Sequence, residues 1–125
     1  MITTNCHFVM RGDSFSPKKA EALLDIEFEV KNEPGEIASR GRYKEQAYPF
    51  GYGLLRIGSM EENFGHFAKK IANWIEFFDS LGVQDTWFHV DVEYCNQCNL
   101  EFSVEFLRIL GSLNIPLTVT CYEGE

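Results

Sequence analysis

Ser59-Met-Glu-Glu-Asn-Phe-Gly-His-Phe-Ala-Lys-Lys-Ile-Ala-Asn-Trp-Ile-Glu-Phe-Phe-Asp-Ser-Leu-Gly82 is the stretch on which the fold turns. Its apolar residues fall at Phe64, Phe67, Ala68, Ile71, Trp74, Ile75, Phe78 and Leu81, the three-and-four spacing that lays one stripe along a helix. Glu62, Asn63, His66, Lys69, Lys70, Asn73, Glu76 and Asp79 make the other face polar. Ser59 stands three residues before Glu62, which predicts a capping box, and Gly82 supplies a left-handed stop. The stripe reads as core rather than as a cofactor box, so the helix must lie against an apolar sheet face.

The segments around this helix read as strands and shorter helices. Cys6 to Arg11 alternates, with Cys6, Phe8 and Met10 on one side. Gly12-Asp13-Ser14 breaks the strand, and Ser16-Pro17 offers an N-cap and a first-turn proline for a helix bearing Ala20, Leu23 and Leu24. Ile26 to Lys31 is a second predicted strand, with Glu27, Glu29 and Lys31 outward. Residues 32–42 read as a loop, and Tyr43 to Tyr48 and Tyr52 to Gly58 as a hairpin turning at Pro49-Phe50-Gly51. Beyond Gly82, Thr86 to Tyr94 alternates sharply, with Phe88, Val90, Val92 and Tyr94 against Trp87, His89, Asp91 and Glu93. Asn99 is the expected cap of a helix with the stripe Phe102, Phe106, Ile109, Leu110 and Leu113. A last strand, Leu117 to Tyr122, should turn Leu117, Val119 and Cys121 inward.

The predicted order is β-α-β-β-β-α-β-α-β in a single α+β domain spanning residues 1–125. A mostly antiparallel sheet of five to six strands carries about three helices packed on one face. The other face is then left for water or a partner.

Composition narrows the function classes. With 45% hydrophobic and 14% aromatic residues the chain can close a core without disulfides. Nineteen acids against eleven bases leave a formal charge of −8, which repels a phosphate backbone; a nucleic-acid partner is not expected, and a basic protein partner is. No apolar run approaches the roughly 20 residues of a membrane span, and Met1-Ile-Thr-Thr-Asn-Cys6 lacks a leader's basic and apolar regions. A cytoplasmic protein without membrane contact is expected.

Four cysteines occur, and Cys95-Asn-Gln-Cys98 has the spacing of redox and zinc sites. Reduced structural thiols, a metal site and a redox pair are the three readings, and the first is preferred because no second ligand pair sits in a matching knuckle. No metal or other cofactor is expected. Arg11-Gly12-Asp13 matches an adhesion motif in letters, but a strand-to-helix turn explains it.

Little in the sequence points to catalytic machinery. His7, His66 and His89 sit on separate predicted elements, and no phosphate-cradling loop, zinc-binding helix or nucleophile elbow is present. His89 and Asp91 share a strand face, as a solvated pair or an acid/base pair. A non-enzyme is expected. The open sheet face should collect Glu27, Glu29, Trp87, His89, Asp91, Glu93 and Tyr122, an acidic surface carrying the large, low-entropy aromatic anchors that interfaces favour.

The stretches Cys6-His-Phe-Val-Met-Arg-Gly-Asp13, Phe15-Ser-Pro17 with the Leu23-Leu24 helix, Glu33-Pro-Gly-Glu36, Arg42-Tyr-Lys44 and the closing strand-helix-strand together resemble the bacterial family labelled domain of unknown function 4279. Tyr48, Phe50 and Tyr52 stand where that family usually carries a tryptophan. The resemblance implies a small cytoplasmic bacterial α+β protein and assigns no catalytic residues. By type, a small acidic single-domain protein is also similar to immunity proteins of contact-dependent or polymorphic toxin systems, which neutralise a toxin domain by direct binding. That is the expected function, with a small metal or redox protein using Cys95 and Cys98, or a housekeeping interaction module, as the alternatives.

Overall fold

A computed structural model describes residues 2–59 and 64–124 of the chain. The elements are β1 (Ile2–Gly12), α1 (Pro17–Leu24), β2 (Val30–Asn32), β3 (Gly51–Gly58), α2 (Phe64–Ser80), β4 (Asp85–Tyr94), α3 (Val104–Ser112) and β5 (Leu117–Glu123). The five strands form one sheet in the order β2-β3-β1-β4-β5. The fold is α+β, as the patterning predicts, but the sheet is mixed rather than mostly antiparallel. β2 pairs antiparallel with β3, whereas β4 and β5 are parallel because α3 carries the chain back before β5 begins.

The central helix begins within the expected stretch, at Phe64. The expected capping box of Ser59 and Glu62 falls partly outside the described residues, since Glu62 is not among them. The C-terminal stop is as expected: Gly82 has φ of 90°, and the Val83 amide donates back to the Phe78 carbonyl at 3.0 Å. Ile71 and Phe78 are 1% and 0% exposed, so at these two positions the stripe is core.

The chain divides into two compact units. The first comprises residues 9–55 and 74–86. Its core contains Val9, Met10, Phe15, Ala20, Phe28, Ala38, Phe78 and Val83. Ser16 caps α1, its hydroxyl accepting from the Lys19 amide, with Pro17 in the first turn. β2 is shorter than the alternation predicts: residues 26–28 are irregular because Phe28 turns into the core, edge-on to Phe15 at 6.3 Å and against Gly53. The expected strand Tyr43–Tyr48 is absent. Positive φ angles at Gly41 (82°) and Glu45 (66°) break its extension, leaving isolated bridges between Ile37 and Ala47 and between Ala38 and Lys44. Tyr43, Tyr48 and Phe50 cluster there at ring separations of 5.7–6.3 Å, with the Arg11 guanidinium 5.2 Å from the Phe50 ring.

The same unit explains Arg11-Gly12-Asp13. Arg11 pairs with Asp85 at 3.3 Å, and the Asp13 amide donates to Gln84 Oε1 at 2.7 Å. Any Cβ at Gly12 would collide with the Gly82 carbonyl. These letters are the joint between β1 and the turn that follows α2.

The second unit comprises the described parts of residues 1–8, 56–73 and 87–125. Phe88, Val90 and Val92 of β4 are buried with Cys6, Phe8, Phe106, Leu110 and Ile115. Phe88 meets Phe106 of α3 edge-on at 5.0 Å. α3 starts later than expected: Ser103, not Asn99, is the cap, its hydroxyl accepting from the Phe106 amide at 3.2 Å, and Phe102 stacks on Phe106 from outside the helix. β5 departs further from its expected pattern. Val119 is 41% exposed and Cys121 is exposed, although both lie on the Val90–Val92 face. β5 is the outermost strand of the sheet, and α3 buries only Phe106 and Leu110, so these inward-patterned positions stay open.

Candidate functional site

β4 displays Trp87, His89, Asp91 and Glu93 on the face opposite its buried residues: the first three are half-buried and Glu93 is exposed. The parallel register sets His89 beside Thr118, Asp91 beside Thr120 and Glu93 beside Tyr122. Tyr122 is 50% exposed. Five of the seven expected site residues therefore share a face. Glu27 and Glu29 do not join them. They precede β2, and β3 and β1 stand between β2 and β4 in the strand order; the Glu29 backbone amide donates to the Leu54 carbonyl at 2.9 Å beside the β2–β3 ladder. The alternation of residues 26–31 could not reveal this, because it fixes a face but not a position in the strand order.

Two further residues enter the site. His89 Nε2 lies 3.0 Å from Asp91 Oδ1, and its Nδ1 lies 2.6 Å from Thr118 Oγ1. An ionised carboxylate only accepts, so in the neutral ring Nε2–H donates to Asp91 and Nδ1 accepts from the Thr118 hydroxyl. Asp91 Oδ2 also lies 3.8 Å from Nδ1 of His7, a residue 7% exposed. The expectation that the histidines stay apart is thus corrected for two of them: His7 and His89 flank one carboxylate. No signal in the sequence paired β1 with β4, so the approach of His7 was illegible.

The arrangement fixes the imidazole at both ends and holds one carboxylate between two rings. Beyond it the Glu93 side chain folds over Gly124, where any Cβ would obstruct it. The surface is therefore acidic, ordered by hydrogen bonds and bracketed by Trp87 and Tyr122.

The cysteines group otherwise than the Cys95-x-x-Cys98 spacing suggests. Cys95 closes a tight turn with Gln97, with Asn96 at φ of 68°, and Cys98 lies ahead of the α3 cap instead of directly at the helix start. Desolvation raises the Cys98 thiol above its ordinary pKa, and the neighbouring Cys121 thiol raises it further by charge and hydrogen bonding. Both effects oppose the thiolate that zinc and redox chemistry require. Among the described residues no group of three or more His, Cys, Asp and Glu side chains is placed to hold a metal ion.

Comparisons of the chain with family models, curated proteins and solved structures find no match. Among the described residues no helix is long and apolar enough to cross a membrane.

Proposed function

We propose that the chain is a non-catalytic protein-binding module that engages a basic protein through Trp87, His89, Asp91, Glu93 and Tyr122. The observation that carries this reading is that the alternation of β4 and its register with β5 bring Trp87, Asp91, Glu93 and Tyr122 onto one face, on which Glu93 and Tyr122 are exposed and Trp87 and Asp91 half-buried. Trp and Tyr supply burial at low entropic cost, while Asp91 and Glu93, backed by a net charge of −8, steer a cationic surface toward them. The class of partner this fits is a basic toxin domain, which makes the chain an immunity protein acting in the cytoplasm by occupying that domain. The test is calorimetric titration with the purified product of the adjacent gene. Binding that weakens as salt rises, and falls at least tenfold with Trp87→Ala, supports the reading; the absence of binding at micromolar concentration refutes it.

The Thr118–His89–Asp91 order supports a second reading, since a hydroxyl, an imidazole and a carboxylate in series are the components of an acyl-transfer nucleophile. Hydrolysis of p-nitrophenyl acetate by the wild-type protein, abolished by Thr118→Val, would favour that reading over the first.

A further inference from the structure

β5 is the outer strand of the sheet, and two backbone hydrogen bonds fix which of its groups face outward. The Pro116 carbonyl accepts from the Phe88 amide at 2.9 Å, and the Gly124 amide donates to the Tyr94 carbonyl at 2.8 Å. Alternate residues of a strand turn to the same side, so the even-numbered residues between these points face β4. Leu117, Val119, Cys121 and Glu123 therefore turn their N–H and C=O groups to the open edge.

That edge lacks the devices that keep strands apart. Leu-Thr-Val-Thr-Cys-Tyr-Glu contains no proline, lysine or arginine and no bulge, and four of its seven residues are β-branched or aromatic. The opposite edge, β2, is only three residues long and carries Lys31. Apolar surface adjoins the open edge. Val119 is 41% exposed on the sheet face that α3 partly covers, and α3 adds Leu107 at 44% and Val104 at 69%. Glu105, on one flank of α3, meets Lys69 of α2 at 3.8 Å. Leu107 lies two residues on, about 200° around the helix, and so projects away from the flank on which Glu105 meets α2.

We propose that this edge pairs with a second copy of the chain, β5 against β5, antiparallel about a two-fold axis at Thr120. Of the two-fold registers available, the one centred on Thr120 sets every residue of the strand opposite another. Leu117 faces Glu123 of the second copy and Val119 faces Cys121, and these are the residues whose backbone groups point outward. Each such pair exchanges two hydrogen bonds, so all outward N–H and C=O groups of Leu117–Glu123 are satisfied. Centring the axis on Val119 or Cys121 leaves one end of each strand unpaired. The pairing is also matched in charge: each Glu123 meets a leucine, no like charges stand opposed, and Val119 meets Cys121 with no charge between them. A basic partner finds only Glu123 along this edge, which is why a second copy is the occupant it fits. Trp87, His89 and Asp91 lie on the sheet face opposite to Val119 and remain open in the pair, whereas Tyr122 of that face stands opposite Thr118 of the second copy; the two readings are told apart because salt should strengthen dimerisation and weaken binding of a basic partner.

Sedimentation equilibrium of the full chain, with amide hydrogen exchange at low and high protein concentration, tests the proposal. The wild type should reach twice the monomer mass. Because two chains of charge −8 repel, its association should strengthen as salt screens them, opposite in sign to binding of a basic partner. The amides of Leu117, Val119, Cys121 and Glu123 should gain protection as concentration rises. Val119→Lys and Cys121→Glu should each raise the dimer dissociation constant about tenfold or more. The double variant should recover pairing, because the register sets position 119 of one copy against position 121 of the other and so opposes the two introduced charges. Amides at 117, 119, 121 and 123 that exchange equally fast at every concentration up to about millimolar overturn the proposal whatever the variants do, as does a double variant no better associated than the single ones.

Discussion

His89 donates to Asp91 at 3.0 Å from a position two residues away on the same strand, and its second ring nitrogen is held by Thr118 of the neighbouring strand. One imidazole thus ties β4 to β5 across the face on which the proposed function rests. The geometry requires the Nε2–H tautomer whenever the ring is neutral. Nitrogen-15 chemical shifts of the His89 ring should show that tautomer in the wild type and a mixture in Thr118→Val/Asp91→Leu, which removes both partners. A wild-type ring in the Nδ1–H form would contradict the network.

Beneath this face the stability of the unit depends on Phe88, which is 1% exposed and packed against Phe106. Phe88→Ala should cost about 3–5 kcal/mol, the transfer term plus the cavity left behind. Tyr122→Ala, at a residue 50% exposed, should cost under about 1 kcal/mol. Urea unfolding of the two variants measures both. Equal losses would mean that Tyr122 belongs to the core rather than to the open face.

Gly12 sits where no side chain fits, against the Gly82 carbonyl. Relief requires movement of backbone on both sides of the joint, so Gly12→Ala should destabilise by about 1–3 kcal/mol. Asp13→Ala should be nearly silent, because it is the Asp13 amide rather than the carboxylate that bonds to Gln84. Thermal unfolding of the two variants separates these outcomes. A neutral Gly12→Ala would return Arg11-Gly12-Asp13 to consideration as a recognition motif.

Glu21 gives the fold a definite acid response. Partial burial alone would raise its pKa, but the Lys31 ammonium at 2.6 Å, the Phe28 amide at 2.9 Å and the charges of Lys31 and Lys18 outweigh this, and the carboxyl is held below its ordinary value of 4.5. A depressed pKa in the folded state stabilises fully above the unfolded value and loses that contribution as pH falls through the folded one. Discounted for screening at a partly exposed pair, Glu21→Gln should cost on the order of 1 kcal/mol at pH 7. The stability curves of wild type and variant should converge as pH drops below about 4.5. A constant gap between them far into the acid range would show that packing, not charge, is responsible.

Much of this fold was legible because period and caps agree locally. Phe64 to Leu81 could only be a helix, Ser16-Pro17 could only start one, and the alternation of β4 told buried Phe88, Val90 and Val92 from Trp87, His89 and Asp91. What escaped depended on long-range position. Val119 and Cys121 alternate like core residues, but their strand is the outermost of the sheet. Glu27 and Glu29 have the pattern of strand residues, but Phe28 is drawn into the core and shortens β2. The approach of His7 to Asp91 and that of Cys98 to Cys121 are pairings across strands or loops, which no local period encodes.

The claim that the β4–β5 face binds a basic protein is tested most directly by hydrogen-exchange footprinting of the chain with and without the purified product of the adjacent gene. The account predicts slowed exchange concentrated at residues 87–93 and 118–122, lost in Trp87→Ala and weakened as salt rises. Complex formation with protection confined to the loop at 33–50 or to α1, and none on β4 or β5, would contradict it.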